Sequence, residues 1–262
     1  MKTVNIADIK DFVNLVNGLP NHYIYRGHSS SKWKLKSTLE RVLDRNFTTQ
    51  ADKFEKWSIQ ELSSKYHLYD QENMRPDTKL QWLALLQHYG APTRLLDFST
   101  SPYVALYFAL EYVDTTTKED IAVYAIDYRE LLSKSIDFIK SKDREFKYSY
   151  LEALENQDVI FSDIIDRFRY DILWITEPKI ANIRIDRQAG SFLLSGDNSK
   201  SIDEMLSLPI YNSVDVEKII VPFALYKSAF ELLKRVNLTS KNIYGDLQGL
   251  AKTIKMTMIQ YS

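Results

Sequence analysis

The stretch QHYGAPTRLLDFSTSPYVALYFA, residues 87–109, decides the fold. It begins on the end of a helix. Residues 78–89 (TKLQWLALLQHY) have helical character, Gly90 stands where a C-terminal stop belongs, and Pro92 follows. TRLLDF then reads as a strand. STSP comes next, with Ser101 suited to cap a helix and Pro102 to fill its first position. The helix it opens, YVALYFALEYV, is apolar on nearly every face and belongs deep in a core.

Outward from this block, HYIYRG (residues 22–27) is a short β-rich run ending on Arg26 and Gly27. Residues 6–16 place apolar side chains at helical spacing, with Gly18 and Pro20 as the stop. Residues 37–44 and 51–66 read as amphipathic helices, and 129–169 as charged and helical. IAVYAI (121–126), DILWIT (171–176), residues 183–194 and EKIIVP (217–222) read as strands. A helix over 225–236 and a final helix after YGDLQGLA complete the chain. Helices and strands mix without regular βαβ alternation. That predicts an α+β fold: a single domain with a mixed, mostly antiparallel sheet and several packed helices.

Composition narrows the chemistry. Seven glycines in 262 residues leave neither G-x-G-x-x-G nor G-x-x-x-x-G-K-[ST], so a Rossmann fingerprint and a P-loop are absent. Without cysteine there is no disulfide, thiolate nucleophile or Cys-ligated metal. The four histidines form no H-E-x-x-H pair, and no metal is expected. A net charge of −1 argues against bulk attraction to nucleic acid or anionic membrane, though not against a local patch. The N-terminal MKTVNIADIKDF lacks an apolar leader, and the expected location is cytoplasmic.

Three separated blocks resemble the FRG domain family: YIYRG (23–27), residues 87–109, and YGDLQGLA (244–251). Smaller likenesses lie in KWKLKSTLER (32–41) and RIDRQAGSF (184–192). The family is named for a Phe/Tyr-Arg-Gly motif, here Tyr25, Arg26 and Gly27. The resemblance implies one FRG-like domain over residues 1–262, its motif core at about 20–255. A second resemblance is to mono-ADP-ribosyltransferases of the Arg/Ser-Thr-Ser/Glu type. These carry an Arg at the end of an early strand, often within YRG, and Ser-Thr-Ser where a later strand enters a helix. Here YRG occupies 25–27 and FSTS 98–101. The third element, a Glu in E-x-E or Q-x-E on a late strand, has no counterpart in a suitable place. The likeness implies an ADP-ribosyltransferase-like fold, NAD as substrate, and a nucleic acid or protein as the modified target. The FRG resemblance implies a toxin or phage-defence setting.

That chemistry assigns roles to particular residues. Arg26 would grip phosphates and ribose, with Gly27 admitting close approach of backbone to ligand. Ser99, Thr100 and Ser101 would supply hydroxyls, and the helix start beyond them free N–H groups. Gln188 matches the family's polar position on a late strand but carries no charge; Glu177 and Asp246 are the acids left to test. His88 is a candidate proton carrier and Arg94 a further anion contact. Asp97 is a candidate partner that locks Arg26. Each residue also has a structural reading. Arg26 and Arg94 fit ion pairs, Ser101 and Asp246 fit helix caps, and His88 fits a helix-end contact. Lys32, Lys34 and Lys36 with Trp33 form either a nucleic-acid ridge or a solvated edge with Trp33 and Leu35 turned inward, the second being favoured. The site is expected in a cleft between YRG, HYGAPTR, RQAG and YGDL. The competing functions are a non-enzymatic nucleotide- or partner-binding module and a metal-free hydrolase.

Overall fold

In the computed structural model, which describes residues 1–69, 75–176 and 187–261, the local signals of the central block act as read. After helices α1 (Ile9–Gly18), α2 (Thr38–Leu43) and α3 (Phe47–Lys65), helix α4 (Lys79–His88) is capped by Thr78, whose hydroxyl accepts from Gln81 N, and Gly90 follows it at φ +82°. Helix α5 (Pro102–Glu111) is capped by Ser101, which accepts from Val104 N, with Pro102 at the first position. Between them lies strand β3 (Leu96–Ser99). Leu106 and Ala109 of α5 are fully buried, so this helix is the central rod of the core.

The other strands are β1 (Lys2–Asn5), β2 (Tyr23–His28), β4 (Ile121–Asp127), β5 (Leu173–Thr176), β6 (Gly190–Ser195) and β7 (Val216–Val221). With β3 they form one seven-stranded sheet in the order β1-β7-β4-β2-β3-β6-β5. Among the described residues, only the β1–β7 pairing is parallel. The fold is α+β with a mixed, mostly antiparallel sheet.

Helices pack in clusters against this sheet. One cluster joins α1 (Ile9–Gly18), α5 and the helix Tyr226–Arg235 to Tyr23, Tyr25, Val123 and Ile219. A second joins α4 and α6 (Tyr128–Lys142) to Leu95, Trp174, Phe192 and Leu194. A third gathers Leu35 with Ile24, Leu96, Phe98, Tyr124 and Leu193, which share one face of β2, β3, β4 and β6. The first two clusters are separate, and the boundary between them falls where β2 meets β3.

Two departures from the sequence reading bear on the sheet. Residues 6–8 are not helical. Ile6 N donates to Ile220 O (3.2 Å), prolonging the β1–β7 ladder, and Asp8 starts α1 through a capping box with Asp11. Strand β1 is missed because its partner lies more than two hundred residues along the chain. Of the expected strand over 183–194, residues 187–189 are not strand, β6 begins at Gly190, and residues 183–186 lie outside the described residues. Gln188 therefore sits in the turn before β6, not on a strand.

Candidate functional site

β2 and β3 are paired at one position, Tyr25 opposite Ser99. Beyond it the strands part, and a cleft of about 720 Å³ opens along the divide. Small-molecule and cofactor sites span roughly 300–1,000 Å³. Alternation along β2 puts Arg26 and His28 on one face, with Tyr25 and Gly27 on the other toward α5.

Arg26 spans the gap. Its Nη1 donates to the main-chain carbonyl of Asp97 (2.6 Å) and its Nε to His28 Nε2 (3.0 Å). Burial lowers the Arg26 guanidinium to about 10, Asp97 opposing and Arg41 adding to the effect, so it stays cationic at neutral pH. Burial first, then the Arg26 charge, push the His28 imidazole down to about 3. The ring is neutral, which is what lets Nε2 accept from a cation.

The Asp97 carboxylate is exposed between two buried neighbours, Leu96 and Phe98. Gln87 Nε2 donates to its Oδ2 (2.8 Å), and Thr93 Oγ1 fixes Gln87 by donating to Oε1 (2.6 Å). Ser99 lies two residues on, on the same face of β3. Its hydroxyl donates to Gln188 O (2.6 Å) and accepts from Ser101 N (3.0 Å), tying the end of β3 to the turn before β6. Gln188 Nε2 and Ser191 Oγ are buried at the cleft with no hydrogen-bond partner among the described residues. At the α5 side, Glu111 Oε1 accepts from Tyr107 OH (3.0 Å), Tyr244 OH (2.8 Å) and Lys252 Nζ (2.8 Å). Burial and the Glu111 charge raise both tyrosine hydroxyls, which stay protonated donors.

Arg26, Gly27, Ser99, Gln188, Lys32, Trp33, Lys34 and Lys36 all line the cleft. Gly27 does so for a different reason from the one expected. A Cβ there would stand 1.9 Å from Ala105 O and 2.5 Å from Ala109 N, so the missing side chain admits α5, not a ligand. Asp97 does hold Arg26, through its carbonyl rather than its carboxylate.

Other expected residues stand away from the cleft lining. Thr100 donates its N–H to Ala189 O (3.0 Å), and Ser101 is the α5 cap. His88, at the end of α4, lies edge-to-face with Tyr89 (4.8 Å). Arg94 precedes β3, buried on Glu55 (3.0 Å) and Asp166 and over the Phe161 ring (4.9 Å). Asp246 accepts from Gly249 N (2.7 Å) at the start of the helix Leu247–Tyr261, the capping role. Glu177 lies outside the described residues. No residue of HYGAPTR lines the cleft.

His28, Arg41, Ser191 and Glu111 were missed. For His28 the signal was there: R-x-H on a strand shares a face. Glu111 is a lone acid ending an apolar helix, and only the tertiary fold brings Tyr244 and Lys252 to it.

Residues 21–118 match the family model of the FRG domain. The chain carries an FRG domain. No curated protein matches the chain, and no solved structure does. The matched segment of the FRG domain holds β2, β3, α4 and α5, and with them Arg26, His28, Asp97, Ser99 and Glu111. Gln188, Gly190, Ser191, Phe192 and Tyr244 reach the same cleft from beyond that segment. The cleft is thus built jointly by the FRG domain segment and the chain after it. Among the described residues, no group of three or more His, Asp or Glu could hold a metal ion, and no helix is long and apolar enough to cross a membrane.

Proposed function

We propose that this FRG domain protein binds NAD in the β2–β3 cleft and transfers its ADP-ribose to a macromolecular acceptor. One observation supports the reading above the others. An open carboxylate, Asp97, lies in the same cleft as a guanidinium already fixed on two sides, Arg26. Arg26 would hold the pyrophosphate through its remaining N–H groups. Gln188 Nε2 and Ser191 Oγ, without a hydrogen-bond partner among the described residues, suit ribose hydroxyls. Asp97 supplies the negative charge that the absent E-x-E motif does not.

In the reaction the bond between nicotinamide and ribose C1′ breaks, its electron pair leaving with nicotinamide. Asp97 stabilises the positive charge that develops on the ribose. The acceptor's nucleophile then bonds to C1′, and its proton passes to Asp97 or to water. Gln87 donates to one carboxylate oxygen, and the other would serve this role. A toxin or phage-defence role belongs to the same proposal, through the family resemblance alone.

Incubation with labelled NAD, beside Arg26→Ala and Asp97→Asn, tests it. Nicotinamide release or label transfer that both variants lose supports transfer. Binding of NAD without release by the wild type would make the cleft a nucleotide-binding module instead.

A further inference from the structure

The Lys32–Arg41 segment combines three features that the transfer chemistry leaves unused. First, it concentrates charge in a chain whose net charge is −1. Residues 32–41 carry four cations and a single acid, Glu40. Lys32 pairs with Glu119 (2.6 Å) and Lys36 with Glu40 (3.2 Å). Lys34 and Arg41 have no carboxylate within ion-pair distance among the described residues. Second, Trp33 is half exposed (51%) among these cations at the cleft. The favoured sequence reading, Trp33 and Leu35 both inward, holds for Leu35 alone, which is fully buried.

Third, the segment is anchored. Trp33 O accepts from Tyr124 OH (3.0 Å), Leu35 N donates to Asp203 Oδ1 (3.2 Å), and Ser31 N donates to Asp120 O (2.6 Å). His28 lies beside the indole, ring centroids 6.1 Å apart. The large apolar ring is therefore held out by the fold, and little ordering entropy remains to be lost when something stacks on it.

An exposed indole flanked by cations is what a nucleic-acid base next to its phosphates fits. A base inside a duplex is already stacked and offers Trp33 only an edge; a single-stranded base offers its face. We propose that the mouth of the cleft is a path for single-stranded nucleic acid, with one base on Trp33 and adjacent phosphates on Lys34, Lys36 and Arg41. The path leads inward to Arg26 and Asp97, and makes the strand the acceptor for ADP-ribose; that role, unlike the binding, rests on the proposed transfer.

The test is fluorescence anisotropy with labelled oligothymidylate, oligouridylate and a matched duplex, over a range of salt. The expected result is binding to the single strands, much weaker binding to the duplex, and a steep loss with salt. Trp33→Ala should weaken single-strand binding about tenfold without changing the salt slope. The double variant Lys34→Gln/Arg41→Gln should flatten that slope by about 1.4, two phosphate contacts' worth. Both positions are exposed, so folding survives; a thermal melt checks this. Equal duplex binding, indifference to Trp33→Ala, or no binding at low salt overturns the proposal. NAD calorimetry and nicotinamide release run on the same wild-type protein. Strand binding without NAD binding refutes the transfer reading and keeps the path. NAD turnover without strand binding does the reverse.

Discussion

Arg26 donates to the carbonyl of Asp97 across the point where β2 and β3 separate, at 2.6 Å. Continuing the Tyr25–Ser99 register would set Asp97 opposite Gly27, so the guanidinium stands in for a backbone ladder bond. The cation that closes the gap in the sheet is also the cation offered to a ligand. His28, kept neutral, holds its other edge.

Replacing Arg26 therefore disturbs both tasks. Arg26→Ala should reduce nicotinamide release by roughly a hundredfold or more, the order lost with a preorganised electrostatic contact. Arg26→Lys should not restore it. One ammonium cannot reproduce the Nε and Nη1 contacts together and still present a fork to phosphate. Activity in Arg26→Lys near wild type would refute this.

Asp97→Asn separates charge from scaffold. The variant keeps the carbonyl that Arg26 uses and an oxygen for Gln87, and loses only the negative charge. Turnover should fall about a hundredfold while NAD affinity by calorimetry stays within a few fold. A loss confined to affinity would show that Asp97 positions Arg26 and takes no part in the reaction.

Gly27→Ala should be felt in stability before activity. Its Cβ would overlap the backbone of Ala105 and Ala109, and a helix backbone yields less readily than a side-chain tip. We expect a loss of about 3 kcal/mol, or no soluble protein, measured by thermal or urea unfolding. A variant as stable as wild type would mean that α5 does not lie on β2 as closely as described.

Arg94 should behave as a structural residue. Removing it leaves Glu55, also held by Lys79 (2.8 Å), buried with half its partners. Arg94→Met should cost about 3 kcal/mol of stability. NAD binding in the folded fraction should not change. An affinity loss without a stability loss would return Arg94 to the ligand.

His28 gives stability a pH dependence of known sign. Its folded value, about 3, lies below the 6.5 of an unperturbed imidazole, so the unfolded chain takes up the proton first. The stability of the neutral, buried ring is complete above pH 6.5 and drains away as pH falls toward 3, by about 1.4 kcal/mol per unit at the steepest. His28→Gln keeps an acceptor for Arg26 and removes the titration. Its unfolding free energy should fall less steeply between pH 6 and 4 than that of the wild type.

Much of the frame was legible because it is written in local chemistry. Ser37, Thr78 and Ser101 cap the helices that follow them, Gly90 ends α4, and the apolar run from Tyr103 lies in the core. Local chemistry says less about partners. Arg94 reads either as an anion contact or as half of an ion pair, and Glu55 and Asp166, from distant segments, decide for the second. Asp97 reads as a second-tier support until its carboxylate is found open and its carbonyl occupied. Gly27 looked like space for a ligand and is space for a helix. In each case the residue type was informative and its destination depended on contacts far along the chain.

One consequence of the single Tyr25–Ser99 pairing concerns association. Past that pair, β2 and β3 each present a backbone margin to the cleft, two edge strands inside a sheet. Edge strands ordinarily invite other chains to add on. These face each other across walls of charged and aromatic side chains, where another protein's strand has no flat approach. Arg26 covers one of these carbonyls, that of Asp97, so the margin is closed in part by a side chain of the same sheet.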